Sequence, residues 1–587
     1  MDDPAARAAL VARGPDKVAT LASAVKDHVR PGDHIHFTSG LSRPQASCMQ
    51  LLRTFAGTSP GFTLSCMSLA GPYVLLVSEG LVADVICAFH GDTLPTPGPN
   101  PLLQRTHAEG AFTLSCWSIL SFTQRLLAGA LGLPWMPTRS LAGSSMQANA
   151  EVLELDGTLA VRALVPDVAF VHAVAADRYG NVLLGAPFGD LCLGAWGARR
   201  GAIVTVEKVV EPEVVAAHPV HMRLPGNRVL AVAEVPFGAH PGPLFAEGLR
   251  DLVEPYAEDP DFWTGFRRAC RDPGEMADWR SQWVDTTHDG YLARLGQERL
   301  ELLRDRAAPQ EPSPRPGPLR AGAAAPREAA PAAAGPAPAD DPAPTEAEMA
   351  VVAGARALAA RVRKLGLRTV LAGVGLSNLS AWLARADLAA QGTPLDLMVE
   401  LGLYDYLPPL GDPLLVSNRT AATATGLGSV LDILGLALSA TASAGILGAG
   451  QVDRRGNINS SVTADGRLLV GSGGSNDVAS ICRDVVVVCV QSKDRFVHEV
   501  PYVTAPGRPV SVVATQAGLY ERVDGELVLS AVFGDLADGV ARARDECGWA
   551  LRVAGEVRIL DDPLAHEVAL IRAYDPSGWY VGRPSRR

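Results

Sequence analysis

The sequence predicts an α/β protein made of two related open domains, each with a mostly parallel sheet, joined by a Pro/Ala-rich linker. Three observations predict it. Short β-branched runs alternate with helical patterns in both halves of the chain. A tract almost without large apolar residues separates the halves. Pairs of similar segments recur in the same order on either side of it.

In the first half HIHF, FTLSC, VADVICAF, DVAFVHAV and AIVTVE read as strands, and the second half offers TVLAGV, LDLMVE, VVVVCVQ and VSVVAT. From about Ala307 to Pro344 the text is AAPQEPSPRPGPLRAGAAAPREAAPAAAGPAPADDPAP, which cannot build a core and reads as extended or disordered. Thr345 and Glu348 then form a capping box that opens a helix through MAVVAGARALAARVRKL. The division expected is therefore 1–306, a linker over 307–344, and 345–587. HIHFTSGLSRPQASCMQLL and RTVLAGVGLSNLSAWLA each run strand, Gly-Leu-Ser, helix, and DRYGNVLLG and DRRGNINSS share D-R-x-G-N. Both matches keep their order, which points to duplicated architecture with Ser/Gly turns at strand ends, where open α/β sheets bind ligands.

At 587 residues, 48% of them hydrophobic and 20% charged, the chain is long enough for two or more cores of ordinary globular composition. Its 52 basic and 63 acidic residues, net charge −11, disfavour a nucleic-acid surface and leave small acidic ligands open. Nine cysteines without a CxxC pair fit buried thiols in a reducing compartment rather than disulfides or a zinc ribbon. MDDPAARAALVARGPDK holds no apolar run of the kind a secretory signal needs, so a cytoplasmic protein is expected. The most apolar window, VLDILGLALSATASAGILGAG, carries Asp432 and many small residues, which suits a packed helix running into a turn better than a membrane span.

Chemistry has few candidates. GVGLSN (373–378) follows a strand and opens a helix, so Gly373 and Gly375 make either an anion cradle or a plain tight turn. GSGGSND (471–477) puts three glycines in four positions, Gly471, Gly473 and Gly474, and lets a ligand touch main chain. His218 and His221 form HxxH around Pro219 with no third ligand, His240 reads as a turn residue, and Ser144-Ser145 lacks a GxSxG elbow. Neither a metal nor a triad is expected. In DLMVELGLYDY (396–406) Glu400 ends an apolar run, as a strand end reaching water or as a group held for chemistry. Gly402 keeps the strand exit open, and a carboxylate near two backbone cradles fits a nucleophile facing an acyl group.

GVGLSNLSAWLA, LMVELGLYDY, GAGQVDRRGNINSS, GSGGSNDVAS and HEVPYVTAPG, in this order, resemble the B-type polypeptide of family I CoA-transferases of the glutaconate CoA-transferase type. VRPGDHIHFTSG, LAGALGLPWMPT, PDVAFVHAVAADRYGNV and EVPFGAHPG resemble the A-type polypeptide. The resemblance implies an A-type domain followed by a B-type domain, fused through the linker, in a chain that assembles as a homo-oligomer, dimer or tetramer. It implies Glu400 of an E-x-G motif with Gly402 as the nucleophile, and Gly471, Gly473 and Gly474 as oxyanion or CoA donors beside Gly373 and Gly375. Asn378 and Asn476 are implied as substrate contacts, and Ser39, Gly40 and Ser68 as pocket residues of the A-type half.

Two departures bear on the acyl pocket: Thr38-Ser39-Gly40 replaces a richer glycine turn, and Leu401 stands where a small residue is usual. The activity implied is CoA transfer from an acyl-CoA to a free carboxylic acid through an acyl-glutamyl anhydride and a glutamyl-CoA thioester, with no permanently bound cofactor, CoA being part of the substrate. Hydrolysis of the thioester or C–C bond cleavage on the same fold, and a catalytically silent CoA-binding protein, are the alternatives.

Overall fold

The computed structural model describes residues 14–38, 41–94, 96–308 and 343–582. Ser39 and Gly40, and residues 309–342 of the expected linker 307–344, lie outside the described residues; Ala307, expected to open the linker, instead closes the helix Gln297–Ala307 and is buried. Two large sheets organise the chain, one on each side of the linker, and each expected strand run falls on a strand of one of them.

The first sheet is built on β1 (His34–Phe37), β2 (Phe62–Leu69), β3 (Val82–His90), β4 (Thr113–Cys116), β5 (Val168–Asp177), β6 (Gly201–Val210) and β7 (Val229–Glu234). These run parallel in the order β4-β3-β2-β1-β5-β6-β7. Helices cover both faces, so β5 is buried along its whole length and reads as a nearly unbroken apolar run. The winding reverses between β1 and β5, which opens a crevice beyond their carboxyl ends.

The second sheet carries a parallel centre of β8 (Thr369–Ala372), β9 (Asp396–Val399), β10 (Ser443–Leu447), β11 (Asp484–Val488) and β12 (Val510–Ala514), in the order β9-β8-β10-β11-β12. Antiparallel strands Gly518–Val523 and Glu526–Phe533 extend it past β12. Here the winding reverses between β8 and β10. The expected capping box is present: Glu348 N–H donates to Thr345 Oγ1 at 3.1 Å and Thr345 N–H to Glu348 Oε2 at 2.8 Å, opening the helix Glu346–Leu365.

The D-R-x-G-N pairs prove to be one turn built twice. Asp177 accepts from the amides of Tyr179 and Asn181 at 2.9 and 3.0 Å, and Asp453 accepts from those of Arg455 and Asn457 at the same distances. Each Asn then accepts from a distant glycine N–H, Gly226 and Gly507 respectively.

One expectation needs correction. The window from Val430 is not a helix running into a turn: a short helical stretch, Leu431–Ala440, leads into the central strand β10. Ser443, Ala444 and Gly445 have weak strand signals because they are small, yet smallness is what the position requires. A Cβ on Gly445 would lie 2.3 Å from Val478 Cγ1, so only glycine lets the helix Ser475–Ile481 press onto the sheet. That contact fixes the start of the helix, and with it the 471–474 loop.

The halves share a core. Met67, Trp117, Leu120 and Phe122 pack in one cluster with Met398, Val430, Leu434 and Val478. Among the described residues no helix is long and apolar enough to cross a membrane.

Candidate active site

Glu400 immediately follows β9. Gly402, at φ +119°, turns the chain back, and a Cβ there would sit 2.4 Å from Gly428 O. Gly428 N–H donates to Gly402 O at 2.8 Å and Phe188 N–H to Gly428 O at 2.8 Å, so the turn is braced by the first half. A side chain at 402 would break this bracing, which is why the E-x-G spacing ends in glycine.

The Glu400 carboxyl lies on the glycine loop. A Cβ on Gly474 would be 3.6 Å from Glu400 Cδ, ordinary contact distance. Oε2 is shut from solvent and has no hydrogen-bond partner. Burial pushes the carboxyl up to about 7; its own backbone N–H opposes this and the nearby Asp477 carboxylate adds to it.

The loop itself is clamped between the halves. Phe89 and Gly471 form an antiparallel bridge, His90 N–H donates to Val470 O at 2.8 Å, and Gly473 N–H donates to Ala88 O at 2.9 Å. Gly473 O accepts from Ile119 N–H at 3.0 Å, and Gln104 makes a reciprocal pair with Leu468. Close approach requires glycine at 471, where a Cβ would be 2.9 Å from Ala88 O and 3.2 Å from the His90 ring.

These bonds sort the loop glycines. The amide of Gly471 is engaged by Ser460 O at 2.8 Å and that of Gly473 by Ala88 O, so both hold the loop in place. Gly474, the one against the carboxyl, caps the helix Ser475–Ile481.

Asn476 and Asn378, expected at the substrate, are fastened elsewhere. Asn476 Oδ1 accepts from Leu141 N–H at 2.8 Å and its Nδ2 donates to Thr504 O at 3.0 Å, tying the halves together. Asn378 Oδ1 accepts from Gly375 N–H at 2.7 Å and caps its own helix, while Nδ2 donates to Pro413 O at 3.3 Å. Gly373 and Gly375 stand at the carboxyl end of β8, the strand beside β9; a Cβ on Gly373 would meet Ser377 Oγ, and one on Gly375 would meet open space. Ser68 sits near the end of β2, its buried Oγ unpartnered.

Sequence reasoning passed over Asp477. It is fully buried and accepts from Leu120 N–H at 2.9 Å and Ser140 Oγ at 2.6 Å, at the start of the helix Ile119–Ala130. Burial raises its carboxyl to about 6, against those hydrogen bonds. The available signal was an acid directly after the glycine loop; its partners, more than 300 positions away in the chain, carried none.

The remaining histidines and serines have local duties. His218 and His221 place Nδ1 against the carbonyls of Val214 and Leu184, His240 joins Asp259 and Tyr291, and Ser144 Oγ donates to Leu141 O. All nine cysteines are free thiols, eight of them buried. Among the described residues no group of three or more His, Cys, Asp or Glu is placed to hold a metal ion.

Gly473 offers a test of the loop. It sits at φ +52° with nothing within 4 Å of a Cβ, so a substitution there acts through backbone conformation rather than collision. Gly473→Val is expected to lower kcat about tenfold or more, with Gly473→Ala falling between. Steady-state rates identical to the parent in both variants would remove the loop from the chemistry.

Two packed α/β sheets thus bring the Glu400 carboxyl, its Oε2 shut from solvent, to face a glycine loop at their seam. The family model described as Coenzyme A transferase matches residues 18–235. The chain is 28% identical over 317 residues to the A-type polypeptide of glutaconate CoA-transferase from Acidaminococcus fermentans, covering 49% of this chain and 94% of that protein. Two polypeptides of 3-oxoadipate CoA-transferase from Pseudomonas knackmussii also match. The A-type one is 30% identical over 227 residues (37% of this chain, 76% of the relative), and the B-type one 28% identical over 260 residues (39% and 92%). The acyl-CoA transferase YdiF of Escherichia coli O157:H7, solved as a thioester complex with CoA, shares the fold at TM-score 0.61 and 15% identity, over 93% of this chain and 95% of that one. The chain belongs to the Coenzyme A transferase family. It is an enzyme of the CoA-transferase class, and its length and its match to both polypeptide types fit a fusion of the two.

Proposed function

We propose that the chain transfers CoA from an acyl-CoA to a free carboxylic acid with Glu400 as nucleophile. The observation that carries this is the Glu400 carboxyl, unpartnered at Oε2, lying against Gly474 in a loop that the other half holds rigid. The ionised carboxylate attacks the thioester carbonyl, and collapse of the tetrahedral intermediate expels CoA thiolate and leaves an acyl-glutamyl anhydride. The thiolate attacks the glutamyl carbonyl of that anhydride, releasing the first acid and leaving a glutamyl-CoA thioester. The acceptor acid runs the same steps in reverse. One thioester replaces another, so the protein needs no resident cofactor, and CoA enters and leaves as part of the substrates.

We take the Gly474 amide as the oxyanion donor, because those of Gly471 and Gly473 are engaged by the carbonyls of Ser460 and Ala88; one well-aimed donor contributes ~3 kcal/mol to such a step. Removing the carboxyl from water raises its pKa and also its reactivity once ionised.

A second reading has one observation in its favour. A carboxyl raised to about 7 is also suited to act as a general base on water, which gives thioester hydrolysis. Trapping separates the two. Incubation with acyl-CoA followed by borohydride or hydroxylamine, then peptide mass analysis, is expected to mark Glu400; turnover without any mark on Glu400 would leave the hydrolase reading.

The raised carboxyl also sets a pH dependence. The nucleophile must be ionised, so kcat/KM is expected to rise as pH increases through about 7 and to level off above it. Stability runs the other way. The folded state holds a proton that the unfolded chain releases, so this group's contribution falls as pH rises from the ordinary glutamate range to about 7, and Glu400→Gln is expected to raise the melting temperature at pH 8. A kcat/KM profile flat between pH 5.5 and 8.5 would count against an ionising Glu400.

A further inference from the structure

Residues 188–192 of the first half hold a backbone conformation that side chains resist. Gly189, Leu191 and Cys192 stand at φ +53°, +56° and +55°, and Leu191 and Cys192 are the one adjacent pair of non-glycine residues in that region among the described residues. A Cβ there crowds the following carbonyl, so such a pair persists only where its surroundings hold it, and strain of this kind gathers at sites that need a fixed geometry. What the segment touches shows its use. Phe188 N–H donates to Gly428 O and Val430 N–H to Gly189 O, both at 2.8 Å, and Gly428 N–H donates in turn to Gly402 O. The strained turn is therefore two hydrogen bonds from the chain reversal that presents Glu400.

Asp190, in the middle of the segment, ties it to the first sheet. Its side chain is fully buried; Oδ1 accepts from Cys192 N–H at 3.1 Å, which closes the turn, and Oδ2 stands 3.7 Å from His36 Nε2. The imidazole, also fully buried, is fixed by its own surroundings on β1. Its Nδ1 lies 3.0 Å from Ser65 Oγ of β2, which lies 2.8 Å from His34 Nε2, and its ring stacks on Phe122 at 6.1 Å between centroids. Gly194 leaves it room, since a Cβ there would be 2.1 Å from His36 Cδ2. Nε2 is shut from solvent and makes no hydrogen bond, so the contact with Asp190 is the remaining use of that nitrogen. Removing one partner would strand the other in the interior, and the pair thus resists motion of the turn away from β1.

We propose that His36 and Asp190 are positioning residues for the transfer step: the buried pair holds residues 188–192 in their strained form, and that turn, through Gly428 and Gly402, aims the Glu400 carboxyl at the thioester. Neither side chain touches substrate. The inference rests on Glu400 as the reacting group, and the tests keep the two apart.

Asp190→Asn keeps the shape of the side chain and the acceptor for Cys192 N–H. It is expected to lower kcat at least tenfold while KM for acyl-CoA stays within threefold, because the binding surface is intact and only the aim of the carboxyl is lost. At position 36 two amides divide the ring between them: glutamine places a nitrogen near where Nε2 stands, asparagine near where Nδ1 stands. His36→Gln is expected to retain at least five times the kcat of His36→Asn, the order set by the contact with Asp190; equal rates in the two would overturn that contact as the cause.

Amide hydrogen exchange of the substrate-free proteins reads the brace without catalysis. Peptides covering 400–402 and 428–430 are expected to exchange at least tenfold faster in Asp190→Asn than in the parent, with 471–474, held by Ser460 and Ala88, as the control. An unchanged rate at 428–430, or equal acceleration at 471–474, which marks general loosening, overturns the proposal whatever happens to turnover. Acceleration confined to 400–402 and 428–430 in a variant with the parental kcat would keep the brace and sink Glu400 as the reacting group.

Discussion

Glu400→Gln is expected to reduce CoA transfer at least a thousandfold, ~4 kcal/mol of barrier, while acyl-CoA binding stays within about one order of magnitude. The amide keeps the shape of the side chain that faces Gly474 and that the 400–402 turn presents. It cannot supply a carboxylate nucleophile. The comparison needs both numbers from the same preparations, turnover by exchange of label between acyl-CoA and acid, and affinity by titration. A variant that keeps more than a tenth of the parental rate removes Glu400 as nucleophile. One that loses affinity and rate together points to a collapsed site instead.

The second large effect concerns how the halves depend on each other. Cutting the chain between 309 and 342 is expected to leave an active complex, because the seam is held by contacts that do not pass through the linker. Asp477 accepts from Leu120 N–H and Ser140, Asn476 from Leu141 N–H, Ser145 exchanges bonds with Val503, and Asn418 Nδ2 donates to Leu244 O. Fragments 1–308 and 343–587 expressed separately should each be inactive, with a loss of at least a thousandfold, since Glu400 stands in one while Ala88, Ile119 and the supports of the glycine loop stand in the other. Mixing should restore activity, less completely on dilution, as expected when a tether supplies only effective concentration. Transfer by 343–587 alone at the parental rate would show that the site is not built across the seam.

Much of this was legible in the sequence, for identifiable reasons. The strand β11 is a run of valines and β5 a long, almost wholly apolar segment with three valines, each leaving one reading, and Thr345 with Glu348 announces a helix through two hydrogen bonds made within four residues. D-R-x-G-N is equally local, since Asp and Asn fold the turn around themselves. The central strand β10 was hidden because Ser443, Ala444 and Gly445 are chosen for the helix that lies on them, a requirement no neighbour in the sequence expresses.

The residue types at the site, an acid at 400, glycine at 402 and three glycines from 471 to 474, are set by the sequence alone, because each acts through its own charge or its own lack of a side chain. Which glycine faces the acid was decided by tertiary structure: the carbonyls of Ser460 and Ala88 engage the amides of Gly471 and Gly473, and the position whose side-chain direction points at the carboxyl is Gly474. Tertiary structure also made Asp477 a neighbour of Glu400 and turned Asn378 and Asn476 into fasteners. Hydrogen-bond partners and burial depend on groups hundreds of residues apart meeting at one seam, and that meeting exists only once both sheets have packed.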